Sequence, residues 1–192
     1  MNKQQLKNCV SVDVETTGLD PHVHGLIEVG ASLLHKDKTF FGQCYISDSC
    51  KVDPMALKVN GHSESELRAR KDIESIPSNT ELLLDLLEFC EEYGVTVIVG
   101  KNPKFDYNFL VHIWKNELLR NERDFPLSYR VINWGDLFIY KYLSNGETIP
   151  SGGLSSDHIA KLLGVTPEEK PHNGLNGALF NKKCIMKCFD YD

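Results

Sequence analysis

Apolar and polar positions alternate in the first part of the chain. Residues 8–14 read Asn-Cys-Val-Ser-Val-Asp-Val, the period of two that a strand requires. Residues 26–35 and the aromatic-rich 38–46 are two further strand candidates, and the short link between them favours an antiparallel hairpin. After residue 76 the period lengthens. Leu82, Leu83, Leu86, Leu87 and Cys90 recur at helical spacing, with Glu81, Asp85, Glu88, Glu91 and Glu92 on the other faces. Residues 95–99 form a short β-branched run between Gly94 and Gly100, the pattern of a buried strand. Asn102-Pro103 offers an N-cap followed by proline at a helix start, and Phe105, Phe109, Ile113 and Trp114 mark the buried stripe of that helix. Residues 129–134 predict a fifth strand. Residues 136–143, 154–163 (closed by Gly164) and 175–189 predict three more helices. Strands come early and then alternate with helices, which predicts an α/β fold with a mixed sheet covered by helices. No repeat, low-complexity stretch or linker interrupts residues 1–192, so a single domain is expected.

Composition adds exclusions. The 192 residues are 41% apolar and 25% charged, ordinary for a globular domain. Lys plus Arg number 21 and Asp plus Glu 27, a net charge of -6. That excludes a basic nucleic-acid coat, but not an enzyme that acts on nucleic acid through cations held by carboxylates. No apolar run approaches the roughly 18 residues that span a bilayer, and residues 1–7 lack the apolar stretch of a signal peptide. A cytoplasmic protein with no membrane partner is the expectation. The six cysteines show no Cys-x-x-Cys pair and are expected as free, buried thiols, with Cys184 and Cys188 able to share a helix face. His22-Val23-His24 reads as loop surface, and Arg68-Ala69-Arg70-Lys71, a tight basic cluster, as a solvated loop.

Candidate chemistry begins where the first strand ends. In Val-Asp-Val-Glu-Thr-Thr-Gly, Asp13 and Glu15 are two residues apart and project from the same face of the strand. Two such carboxylates suit a hard divalent cation, although taken alone they also describe two solvated acids at a strand end. Asp106 falls in the first turn of the helix after the 95–99 strand, where the positive end of the helix dipole favours its ionised form. His172 precedes the last helix and is either a surface residue or a general base near neutral pH.

Taken in order, these segments resemble the DEDDh-type 3′–5′ exonucleases, which include the proofreading subunit of bacterial replicative polymerase, ribonuclease T and oligoribonuclease. The matching stretches are residues 12–19, 100–110, 159–164 and 171–178, together with Ala-Leu-Lys-Val-Asn-Gly at 56–61, where His62 stands in place of the usual Ile. The resemblance implies a ribonuclease H-like fold, a five-stranded mixed sheet flanked by helices with one strand antiparallel. It also implies phosphodiester hydrolysis of DNA or RNA from the 3′ end with two Mg²⁺ or Mn²⁺ ions. By resemblance, Asp13 bridges both ions, Glu15 holds the ion on the nucleophile side, Asp106 helps hold the other, and His172 takes the proton from the attacking water. Thr16, Thr17 and Leu19 are implied to lie against the 3′-terminal nucleotide. Asn60, Asn102 and Phe105 complete the implied substrate-binding set. The implied partner is a single-stranded 3′ end, with a polymerase or a second copy of the chain left open.

The departure is at Gly177. The family places its fourth carboxylate five residues after the histidine, and here that position is glycine, preceded by Asn176. Three explanations stay open: reduced activity with three acids; another acid swinging in, with Glu168, Glu169 and Asp190 nearby in sequence; or a catalytically inactive nucleic-acid- or protein-binding module on the same fold. If the carboxylate is simply missing, Gly177→Asp is expected to raise activity or metal affinity.

Overall fold

The computed structural model describes residues 3–149 and 153–190, so Met1 and Asn2 of the N-terminal segment lie outside the described residues. Five strands form one sheet: β1 (Cys9–Thr16), β2 (Leu26–Leu33), β3 (Thr39–Gln43), β4 (Val97–Gly100) and β5 (Ile132–Asn133). Their order is β3-β2-β1-β4-β5. β2 runs antiparallel to both neighbours, and β4 runs parallel to β1 and β5, so β2 is the one reversed strand of a mixed sheet. β1 lies at the centre, and both of its faces must be covered.

The helices supply that cover. α3 (Asn79–Glu92) and α4 (Lys104–Asn116) bury Leu82, Leu83, Leu86, Phe109, Leu110 and Ile113 against Val10, Val12 and Val14 of β1. α5 (Trp134–Ser144), α6 (Ser156–Leu162) and α7 (Gly174–Cys188) pack Trp134, Phe138, Ile159, Phe180, Cys184 and Ile185 with Cys9 and Val99. α3 starts where Ser78 and Glu81 form a reciprocal capping box, which ties down two otherwise orphaned N–H groups. Its acids sit on the exposed face, as the periodicity predicts. All six cysteines are free, and Cys184 and Cys188 share the buried side of α7. Among the described residues, no helix is long and apolar enough to cross a membrane.

Four local expectations need correction. Two short helices, α1 (Pro54–Asn60) and α2 (Glu64–Ala69), went unpredicted although their start signals are present. Asp53 accepts the Met55 N–H ahead of Pro54, and Ser63 accepts the Glu66 N–H. The basic cluster is no solvated loop: Arg68 pairs with Glu64 at 2.7 Å, and buried Arg70 pairs with Glu66 at 2.8 Å. Asn102 does not cap α4. It adopts φ 56°, and its carbonyl accepts the Phe105 N–H. The chain turns sharply between β4 and α4, and Asn tolerates the left-handed conformation such a turn demands. Finally, β5 is only two residues long. Only Val99 and Gly100 of β4 are available to pair with it, and Trp134 turns into the core as the first residue of α5.

Candidate active site

The even residues of β1 point into the core beneath α3 and α4, so its odd residues face α7. Ser11 donates its hydroxyl to the Ala178 carbonyl there at 2.8 Å. Asp13 and Glu15 continue the same face, Asp13 half-buried and Glu15 only 9% exposed. β4 pairs with β1 only at Cys9, Val10 and Ser11. Beyond that point the Val14 N–H turns to Asp106, donating to its Oδ1 at 3.0 Å. This bond brings the buried first turn of α4 to the end of β1, next to the other two acids.

Burial dominates the electrostatics. Desolvation, then the charges of Asp106, Glu15 and Glu168, push the Asp13 carboxyl well above the usual carboxylate range, against one hydrogen bond from Asn181 Nδ2 at 3.3 Å. Glu15 is pushed up to about 8, by burial first and then by the charges of Glu168, Glu28 and Asp106. Asp106 is pushed up to about 7 by burial, which outweighs the N–H donors it accepts. Desolvation thus opposes the pull toward the ionised form that the helix start exerts on Asp106. Among the described residues, the Lys and Arg ion pairs all go to other acids.

His172 is tied by its backbone N–H to the Val59 carbonyl of α1 at 3.1 Å. Its ring Nδ1 lies 3.5 Å from Glu168 Oε2. The Glu168 charge is also among those that raise Asp13 and Glu15.

The other predicted residues fall into two groups. Thr16 and Thr17 are buried: Thr16 Oγ1 donates to the Gly18 carbonyl at 2.7 Å, and Thr17 Oγ1 donates to the Lys51 carbonyl at 2.7 Å while accepting the Gly25 N–H. Both hydroxyls hold the loop after β1 in shape. Asn60 is buried beside them, donating to the Thr16 carbonyl at 3.2 Å and opposing the rise at Glu15. Leu19 is 79% exposed, Asn102 is exposed, and half-buried Phe105 packs its ring on Phe109 at 5.0 Å. These three present open surface.

α7 is pressed onto the sheet by glycine. A Cβ on Gly30 would fall 2.0 Å from the Gly174 carbonyl oxygen, so a side chain there would lift the helix. At Gly177 a Cβ would fall 2.1 Å from Asp13 Oδ2 and 2.5 Å from its Cγ. The Asp13 carboxylate fills the place where the resemblance puts the fourth acid. An acid at 177 therefore cannot enter unless the Asp13 side chain moves.

Two supporting groups escaped the sequence reading. Asn181, one helical turn after Gly177, accepts Trp134 Nε1–H at 2.7 Å and the Lys101 N–H at 3.2 Å, and donates to Asp13. Its only signal in the sequence is a polar residue within the apolar stripe of the last helix. Glu28 is 2% exposed and accepts from Gln43 Nε2 (2.6 Å), Asn173 Nδ2 (3.1 Å) and the Gly174 N–H (3.2 Å), with His62 Nε2 at 2.9 Å. Burial alone would raise its carboxyl, but the bonds from His62, Gly174 and Gln43 hold it below the usual range. The departure at His62 thus joins α1, β2 and the start of α7. Glu28→Ala is expected to destabilise the fold by about 2–4 kcal/mol, because it leaves several buried donors unpaired. Urea unfolding measures this, and a loss under about 1 kcal/mol would show that the network holds little.

As placed, these carboxylates do not converge on a single point. Among the described residues, no group of three His, Cys, Asp or Glu side chains stands in ion-holding geometry. The donor chemistry nevertheless suits a hard divalent cation. The donors are carboxylate oxygens without basic partners, and two buried oxygens, Asn60 Oδ1 and Glu168 Oε1, have no hydrogen-bond partner.

Residues 10–179 match the family described as Exonuclease (RNase_T). Over 180 residues the chain is 31% identical to a protein named DNA polymerase III PolC-type from Thermotoga petrophila, covering 93% of this chain and 12% of that protein. It therefore spans about an eighth of that relative's length. Among solved structures, the nuclease domain of 3′hExo, described as a DEDDh family member bound to rAMP, superposes with a TM-score of 0.65 at 16% identity, covering 94% of this chain and 90% of that one. An Exonuclease I–ssDNA complex from E. coli superposes with a TM-score of 0.69 at 14% identity, covering 95% and 40%. At such identities the superpositions show the fold.

Proposed function

This chain belongs to the Exonuclease (RNase_T) family, and on that premise we propose that it hydrolyses phosphodiester bonds of single-stranded DNA or RNA from the 3′ end. The observation that carries the reading is the placement of Asp13 and Glu15 on one face at the end of the central strand, with Asp106 bonded to that same strand through the Val14 N–H.

Asp13, Glu15 and Asp106 would hold divalent ions, Mg²⁺ or Mn²⁺. When bound, these supply charge stabilisation for the attacking and leaving oxygens of an in-line displacement. His172 accepts the proton of the attacking water. Glu168 beside Nδ1 favours the proton on that nitrogen and leaves Nε2 as the acceptor. Asn181 fixes the Asp13 carboxylate from behind. Leu19, Asn102 and Phe105 offer exposed and half-exposed surface for the terminal nucleotide. Association with a polymerase, or with a second copy of the chain, is compatible with this arrangement and not required by it.

The test uses 5′-labelled single-stranded DNA and RNA incubated with Mg²⁺ and then Mn²⁺. A ladder that shortens from the 3′ end and disappears with chelator is expected. Measurable binding without cleavage under either metal would instead favour the inactive module, for which Gly177 is the specific observation.

A further inference from the structure

The hairpin after β2, the loop after α6 and the later turns of α7 enclose a cavity of about 600 Å³. Asp13, Glu15 and Asp106 take no part in its wall. Its floor is apolar, formed by Leu179 and by buried Leu34, Val165 and Met186. Around that floor stand Lys36, Lys182, Lys183 and Lys187. Four of the chain's 21 Lys and Arg residues thus gather on one cavity, although the net charge is -6. Among the described residues, Asp37 is the one acid in the wall, and it is fully exposed. It meets only Lys182, at 3.4 Å, and Lys182 is fixed in place by donating to the Lys36 carbonyl at 3.0 Å. Lys36 and Lys183 make no ion pair among the described residues. His35 also lines the cavity, and its buried Nδ1 has no hydrogen-bond partner. Burial, then the charges of Lys36 and Lys182, hold its ring toward the neutral form. Like charges around an apolar floor repel one another, and an anion between them removes that repulsion.

We propose that this cavity is a second nucleotide site, in which the lysines meet the phosphate and the apolar floor takes the base. Its volume is in the range of small-ligand sites, and lysine is a common point-charge partner for phosphate. A flat apolar group joined to a phosphate matches both halves of the lining. The site is separate from the carboxylates. Lys187 lies about 15 Å along α7 from Gly177 at the helical rise. Between them is a smaller cavity of about 230 Å³, which shares Lys183 but is lined by Glu168 and Glu169. Those two acids repel phosphate, so the passage does not extend the lysine cavity to the catalytic end. The choice of a nucleotide rests on the exonuclease reading above, whose reaction releases nucleoside monophosphates; the lysine-ringed cavity stands without it.

Binding can be measured in chelator, without turnover. Calorimetric titration of the full chain with AMP, inorganic phosphate and a single-stranded oligonucleotide compares wild type with three variants. These are Lys36→Gln combined with Lys183→Gln, then Lys115→Gln, then Asp13→Asn. AMP is expected to bind wild type more tightly than phosphate does, and the double variant should weaken it by about tenfold to a hundredfold. Lys115→Gln and Asp13→Asn should match wild type. A second readout needs no variant: the pKa of the His35 ring, followed by NMR, should rise when AMP binds, because the phosphate offsets Lys36 and Lys182. Oligonucleotide binding that the double variant weakens, without AMP binding, would keep the site and make a strand the source of the nucleotide. Failure of both ligands to bind, or a His35 ring that neither moves, would overturn the inference. So would phosphate binding as tightly as AMP, an equal loss in Lys115→Gln, or a loss confined to Asp13→Asn. The cleavage ladder is a separate readout: AMP binding here without cleavage would sink the exonuclease reading alone, and cleavage without binding here would sink this one alone.

Discussion

Asp13→Asn is expected to abolish cleavage and, in chelator, to make the protein more stable. Activity should fall on the order of a thousandfold or more, about 4 kcal/mol of transition-state stabilisation, because the proposed function makes Asp13 a ligand of the divalent ions. Stability moves the other way. The side chain is pushed toward its neutral form by burial and by Asp106, Glu15 and Glu168. Asn keeps an acceptor oxygen for Asn181 while removing that repulsion. A gain on the order of 1 kcal/mol corresponds to a rise of about 2–4 °C in melting temperature for a domain of this size.

The pH dependence has a definite sign. Glu15 and Asp106 have folded values of about 8 and about 7, against ordinary values of 4.5 and 3.8. Between those limits the native state binds more protons than the unfolded chain, so stability falls as pH rises through the window and levels off above about 8. Glu28, held below its usual range, pulls in the opposite sense only on the acid side. Calorimetry from pH 5 to 8.5 in chelator should show this decline, and it should be shallower in Asp13→Asn. Added Mn²⁺ should raise the wild-type melting temperature and leave the variant almost unmoved. A variant less stable than wild type in chelator would contradict the account of Asp13 as a strained charge.

Much of the fold was legible because its signals are local. The alternation of 8–14 places Asp13 and Glu15 on one face without any knowledge of what covers it, and β1 forms there. The Leu82–Cys90 spacing specifies the buried side of α3. What could not be read depends on packing between distant segments. The left-handed Asn102 answers to the short passage from β4 to α4, and the two-residue β5 to the early end of β4. Asp106 was legible as a residue of the helix start after β4, but not the burial that raises its carboxyl, since that depth is decided by β1 packing against α4. His62, which looked like a mismatch, is explained only by Glu28, 34 residues away. Gly177 is the extreme case: as sequence it is an absent acid, and as structure it is a notch occupied by another residue's carboxylate.

That notch makes Gly177→Asp a destructive change rather than a repair. The new Cβ would lie 2.1 Å from Asp13 Oδ2 and 3.0 Å from Oδ1, far inside contact distance. α7 cannot retreat easily, because Gly174 lies directly on Gly30 and the Ala178 carbonyl is bonded to Ser11. Asp13 must rotate away from Asn181, and another carboxylate joins a cluster already pushed toward neutrality. The fold should lose about 1–3 kcal/mol in chelator, the usual cost of overpacking, and cleavage should fall rather than rise. Gly177→Ala separates sterics from charge. Alone, it should destabilise by a similar amount despite the better helix propensity of Ala. In an Asp13→Ala background the obstruction is gone, and the same change should stabilise by up to about 1 kcal/mol, the helix-propensity difference between Gly and Ala. The cycle therefore predicts a coupling of about 2 kcal/mol or more between residues 13 and 177 in chemical denaturation. Additive effects, or a Gly177→Asp protein that cuts faster than wild type, would mean that Asp13 does not occupy the notch and that the fourth ligand position is open after all.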